Sequence, residues 1–182
     1  MSSMINKLKT IARHLWLDAD DTHHAIPPDM LKRLAQRVAA SEQRHSGEVR
    51  ICVEASLPAS YVMRLGREHS IRALSRQRAV MMFSKLRVWD TAHNNGVLIY
   101  LLLAEHAIEI VADRGLTQHI SAAQWQDMVG HMSAAFKAGR YEEGLTEVLA
   151  EISAVLMQHF AVDGAPGAAV NTNELPDNPL LM

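Results

Sequence analysis

The chain has 182 residues, a formal net charge of −2, 48% hydrophobic and 21% charged residues. This is the composition of an ordinary globular domain, and the length suits one domain burying about two thirds of its unfolded surface. The acidic balance excludes a generic nucleic-acid binder, and the single cysteine, Cys52, excludes an intrachain disulfide.

The longest apolar run, Val97 to Ala104, falls far short of the roughly 20 residues of a membrane helix. No apolar leader core follows the first lysines. The expectation is a cytoplasmic protein, not integral to a membrane.

Residues 4–16 carry Ile5, Leu8, Ile11, Ala12, Leu15 and Trp16 at helical spacing, with Lys7, Lys9 and Arg13 between them. An amphipathic helix follows, either docked on the domain or offered to a membrane surface or partner. Asp18 to His24 reads as a polar linker, so residues 1–26 stand apart from the main domain. Ile26-Pro27-Pro28-Asp29 opens a helix over about 28–44, with the stripe Leu31, Leu34, Ala35, Val38 and Ala39. After Ser46-Gly47, Val49, Ile51 and Val53 alternate with Arg50, Cys52 and Glu54, the pattern of a half-covered strand. Pro58 closes it, and a helical stretch covers roughly 60–84 with an irregular start at Gly66.

The run 97–103 is apolar on both faces, which predicts a central strand, and 107–112 is its hairpin partner. Ser121 to Gln124 fits a capping box. Trp125, Met128, Val129, Met132 and Phe136 give the helical face behind it, and Gly139 stops that helix. Leu145, Val148, Leu149, Ile152, Leu156 and Phe160 define a last helix over about 141–159. From 161 the chain turns to Gly, Ala, Pro and Asn, which predicts a flexible tail over 161–182. Strand, crossover helix and strand make a right-handed parallel unit, and the hairpin adds an antiparallel neighbour. The fold class is α/β: a three-layer α/β/α sandwich with a small mixed sheet, in a domain spanning 27–160.

Two polar turns flank the hairpin, Trp89 to Gly96 and Asp113-Arg114-Gly115. Asp90, Asn94, Asn95 and Asp113 offer oxygen ligands there, which suits calcium or magnesium rather than zinc and needs no organic cofactor. The same residue types shape turns unaided. Arg114 has the planar fork that holds an anion, or it pairs with Asp113 or Asp90. Gly115 is expected at positive φ. His93 beside the turn is a candidate acid or base. Glu48 begins its strand and is expected at the end opposite to a carboxyl-end site. His23-His24 lies in the polar linker, and Cys52 reads as packing. The stretch 61–88 holds Arg64, Arg67, Arg72, Arg76, Arg78, Lys85 and Arg87 against Glu68 alone, an anion-binding surface or a solvated helix.

Four pieces in order resemble the TPM domain family, named for a thylakoid lumen protein, a photosystem repair protein and a nematode receptor modulator. They are Glu42 with Ser46-Gly47-Glu48-Val49, then Asn94-Asn95-Gly96-Val97-Leu98-Ile99, then Ile108 to Leu116, then Phe136-Lys137-x-Gly139-x-Tyr141-x-x-Gly144-Leu145. The resemblance implies an α/β/α sandwich and a divalent-cation site between the loop before the central strand and the turn after its partner. It also implies either acid phosphatase activity, attributed to plant members, or an accessory role with a protein partner or membrane complex. The leader peptide and membrane segment of many members have no counterpart here, and Asp113-Arg114 and Arg140 depart from the family pattern.

A cation-dependent accessory module is thus one expectation. A metal-dependent phosphatase acting on phosphate monoesters is the other, with metal-activated water and Arg114 stabilising charge. The sequence shows no Cys-x5-Arg loop, which favours the first.

Overall fold

The computed structural model describes residues 2–66, 69–162 and 173–182. In chain order the elements are α1 (Ser2–Trp16), α2 (Ala19–Ala25), α3 (Pro28–Glu42), β1 (Val49–Glu54), α4 (Ala59–Val62) and α5 (Ile71–Lys85). Then come β2 (Val97–Leu102), a 3-10 turn (Leu103–Glu105), β3 (Ala107–Ala112), α6 (Arg114–Thr117), α7 (Ala122–Lys137), α8 (Tyr141–Phe160) and β4 (Leu180–Leu181). The sheet order is β3-β2-β1-β4. β1 is parallel to β2 and β4, and β2 is antiparallel to β3, an α/β fold as the sequence predicts.

Strand periodicity divides the interior into two cores. Val49, Ile51, Val53, Val97, Ile99 and Leu101 face α3, α7 and α8. Cys52, Leu98, Tyr100 and Leu102 face the other way, onto Val62 of α4 and Leu74 and Met82 of α5, with Ile11 of α1 at the margin. No helix among the described residues is long and apolar enough to cross a membrane.

Four expectations change. β1 is buried on both faces rather than one. Its charged positions are satisfied internally: Glu54 is neutralised by Arg78, and Arg50 donates to carbonyls of the C-terminal segment. The helical stretch 60–84 is two helices, because Ser70 caps α5 through Ala73 N at 3.2 Å. The polar linker is helix α2, because Asp18 and Asp21 form a reciprocal capping box.

The last change concerns the tail. Residues 163–172 lie outside the described residues, but 173–182 is docked. Met182 N donates to Val53 O at 2.9 Å, Ala55 N donates to Met182 O at 2.8 Å, and Leu175 sits in the second core. Apolar residues at 175 and 180–182 inside a Pro- and Asn-rich stretch are too few to show as a periodic pattern, yet they suffice for one short strand.

Candidate functional site at the sheet end

The parallel register places Val49 beside Val97, and the antiparallel register places Val97 beside Ala112. Val97 N donates to Glu48 O at 2.8 Å and Asp113 N donates to Gly96 O at 2.9 Å. Glu48, Gly96 and Asp113 therefore lie in a row across three strands. Glu48 is at the same end as the polar turns, not the opposite one. That end is the amino end of β1 and β2, and the carboxyl end of β3 alone.

The four expected oxygen ligands have different surroundings. Asp113 Oδ1 accepts from Arg114 N at 2.6 Å, while its Oδ2 is buried and has no hydrogen-bond partner among the described residues. Asn94 has φ 52°, and its Oδ1 accepts from Arg114 Nε at 3.1 Å and Nη2 at 2.7 Å. Asn95 is fully buried. Its Nδ2 donates to Ser46 Oγ at 3.2 Å and its backbone N–H donates to Thr91 Oγ1 at 3.1 Å, so its amide locks the turn. Asp90 is exposed and pairs with Arg87 at 3.0 Å, with no hydrogen bond to the other three. The structure thus brings Asn94, Asp113 and Arg114 together and leaves Asp90 outside.

Arg114 pairs with an amide oxygen rather than with either aspartate. Gly115 is helical, not at positive φ; its lack of a side chain serves close approach, since a Cβ there would sit 2.5 Å from Asn94 O and 3.0 Å from His93 O. Gly96 is still tighter, with Val88 O 1.9 Å from where its Cβ would be. His93 is exposed at the turn. The basic side chains of 61–88 are dispersed: Arg78 is buried on Glu54, Arg76 donates to Ile110 O, Arg64 donates to Gln77, and Arg67 lies outside the described residues.

A second group at the same end was not foreseen. Glu42 Oε1 accepts from Val49 N at 2.8 Å, and Glu48 Oε2 accepts from Leu175 N at 3.0 Å. Burial pushes Glu42 up to about 8, helped by the charges of Glu48 and Asp177 and by a hydrogen bond with Asp177. Burial likewise raises Glu48, whose Oε1 has no partner among the described residues. Glu174 Oε2 accepts from Ala92 N at 3.0 Å, tying the C-terminal segment to the first polar turn. The signal for Glu48 was the predicted parallel crossover itself, which fixes β1 and β2 to start at one end.

Ser41 Oγ lies 2.7 Å from His45 Nε2, with Nδ1 3.0 Å from Gly47 O. Both side chains are buried, and burial lowers His45 to about 4. Nδ1 therefore carries the proton and donates to Gly47 O, a lock on the α3–β1 connection with no route for a substrate. Among the described residues no group of three or more His, Cys, Asp or Glu is arranged to hold a metal ion. Metal ligation at the Asn94–Asp113 turn would thus rest on one carboxylate with amide and carbonyl oxygens.

The sequence matches the TPM domain over residues 19–155. The chain belongs to the TPM domain family. The match begins at α2 and stops short of the docked C-terminal segment, so the contacts of 173–182 lie outside the TPM unit. Among solved structures, this TPM domain is similar to the BA42 protein of the psychrophilic bacterium Bizionia argentinensis, with a TM-score of 0.67 and 22% identity. That match covers 85% of this chain and 94% of that one. It is also similar to the N-terminal domain of a P. gingivalis protein, with a TM-score of 0.56 and 18% identity over 73% and 79% of the two chains. At these identities the likeness concerns the fold. A comparison with curated proteins finds no match.

Proposed function

We propose that this TPM domain is an accessory module that takes a hard divalent cation, calcium or magnesium, at the turn pair Asn94–Asp113. The observation that carries the reading is Asp113 Oδ2, a buried carboxylate oxygen without a partner among the described residues. A carboxylate oxygen removed from water costs free energy unless a proton, donor or cation meets it. The carbonyls of His93 and Asn94 crowd the same turn around Gly115, and oxygen donors of this kind suit calcium and magnesium. Asp90 would join by leaving Arg87, an exposed pair whose release costs under about 1 kcal/mol. Asn95 would hold the turn rather than the ion.

Arg114 supports an accessory role over a phosphatase, since its guanidinium donors already go to Asn94. The test is a calcium and magnesium titration followed by amide NMR on the wild type, Asp113→Asn and Asp90→Ala. Saturable shifts at 93–96 and 113–115, abolished by Asp113→Asn and weakened by Asp90→Ala, support the reading. No shifts at millimolar metal would reject it. Turnover of small phosphate esters by the metal-loaded wild type, lost in Asp113→Asn, would replace the accessory role with an enzymatic one.

A further inference from the structure

The apolar stripe of α1 faces outward. Leu8, Ala12 and Leu15 follow one another at spacings of four and three, with Trp16 beside them, so they share one face. Leu8 is 61% exposed, Leu15 71% and Trp16 88%. The helix is attached to the domain by its other side. Ile11 packs at the second core, and Leu57 N donates to His14 Nδ1 at 3.0 Å. Arg13 Nη1 donates to Ala104 O at 2.8 Å and pairs with Glu105 at 3.4 Å. α4 packs beside α1 and adds Met63, 83% exposed. The side chains best able to fill a core are thus presented to solvent on a helix that is itself held in place.

Charge decides what covers this face. From Ser2 to Trp16 the helix contains no acidic residue, while Lys7, Lys9 and Arg13 are cationic. Lys7 and Lys9 are exposed and have no ion-pair partner among the described residues. At 100° per residue Lys9 falls beside Trp16 at one border of the Leu8–Trp16 arc, while Lys7 lies beyond Ile11, toward the turn that follows α4. An exposed apolar strip with tryptophan and lysine together at one edge, on a helix whose charged residues are all cationic, is the pattern of a helix lying in a lipid interface, its apolar side a few ångströms below anionic headgroups. The described apolar strip covers about two and a half turns. That is short for a helix partner requiring knobs-into-holes packing over several heptads, whereas a fluid surface requires no matching shape.

We propose that α1, with Met63, is a peripheral docking face for an anionic lipid bilayer, seating the TPM domain on the membrane surface without crossing it. This does not depend on the cation reading. Leu8, Leu15, Trp16 and Met63 supply the buried area, and Lys7 and Lys9 supply attraction to headgroup phosphates. The sheet end that bears Asn94 and Asp113 belongs to other elements and is not used.

The test is flotation of the full chain with vesicles of phosphatidylcholine alone and with roughly a third phosphatidylglycerol. The expected result is binding to the anionic vesicles that weakens with salt, and little binding to neutral ones. Leu15→Glu/Trp16→Glu should lower partitioning roughly tenfold or more, and so should Lys7→Glu/Lys9→Glu. All four residues are exposed, so thermal melts of both variants should match the wild type, and Trp16 emission should shift to the blue on binding. Failure to bind anionic vesicles would overturn the proposal, as would binding that survives Leu15→Glu/Trp16→Glu. A self-association lost in that variant, without vesicle binding, would also overturn it and make the face a contact between protein chains.

Discussion

Arg78 of α5 grips Glu54 of β1 in a two-pronged ion pair within the second core, with Arg78 Nε donating to Glu54 Oε2 at 2.8 Å. Tyr100 of β2 donates its hydroxyl to the same Oε2 at 2.6 Å. Burial, reinforced by the Glu54 charge, raises the Tyr100 pKa and keeps that hydroxyl a donor. The pair lies at the carboxyl ends of β1 and β2 and fastens α5 to the sheet. Arg78→Ala would strand a buried carboxylate, and such a loss costs about 3–5 kcal/mol. Removing both charges with Glu54→Leu/Arg78→Leu should cost much less. Urea unfolding of the three proteins checks this, and equal losses in the single and double variants would contradict it.

Glu42 and His45 set opposite pH slopes. The folded pKa of Glu42, about 8, lies above its ordinary value of 4.5. The native state therefore binds the extra proton between those values, and stability falls as pH rises through that window. His45 behaves oppositely: its folded pKa of about 4 lies below 6.5, so stability rises with pH between the two. The two slopes oppose each other from 4.5 to 6.5, and above that only the carboxyl slope remains, reinforced by Glu48. Stability should decline from pH 6.5 to 8, by at most about 1.4 kcal/mol per pH unit from one group. Glu42→Gln should flatten that decline while keeping the rise through the histidine window. Denaturant melts at half-unit steps of pH measure it, and an unchanged alkaline slope would show that Glu42 is already ionised in the native state.

The residues that were legible were those whose role follows from periodicity. Val97 to Leu102 announce a central strand because both faces are apolar, and Ser121-x-x-Gln124 announces a helix start. Leu31 to Ala39 announce one buried stripe. What the pattern could not show depends on partners distant in the chain. Arg50 and Glu54 read as solvent-facing because their hydrogen-bond partners lie far off, at 176–178 and at 78. Asp90 and Asn94 read as neighbours because both stand in one turn, but Arg87 and Arg114 draw them to different contacts. Gly115 signalled a turn glycine, when its role is to leave space for the carbonyl of Asn94.

The C-terminal segment should be integral to stability. Arg50 Nη1 donates to the carbonyls of Pro176 and Asn178, the latter at 2.5 Å, and Glu48 accepts from Leu175 N. Truncation after residue 172 would leave Arg50 and Glu48 without these partners and open the second core at Leu175. Hydrogen bonds to charged groups contribute about 1.5–3 kcal/mol each, so the truncated chain should lose several kcal/mol and expose the β1 edge. Arg50→Met should recover part of that loss within the truncated background by removing the stranded charge. Thermal unfolding of the four combinations gives the answer. A truncated protein as stable as the full chain would mean the segment rests on the domain without supporting it.

Three glycines of similar appearance should respond differently to alanine. Gly96→Ala puts a Cβ 1.9 Å from the Val88 carbonyl, a backbone atom held by Val88 N donating to Phe83 O at 3.1 Å. The α5–β2 connection would have to move, and the cost should reach or exceed the roughly 1–3 kcal/mol of an overpacked site. Gly115→Ala meets the Asn94 carbonyl at 2.5 Å. It should cost less globally, because the turn can shift, but it would displace the oxygens proposed to hold a cation and so weaken calcium or magnesium binding. Gly130, inside α7, has nothing within 4 Å of its Cβ position. Gly130→Ala should therefore stabilise by about 0.5–1 kcal/mol through helix propensity and lost unfolded-state freedom. Melting temperatures order the three variants, and the metal titration separates Gly115→Ala from the others. If Gly115→Ala binds metal like the wild type while Asp113→Asn does not, the carbonyl of Asn94 is not a ligand and the carboxylate acts with other oxygens.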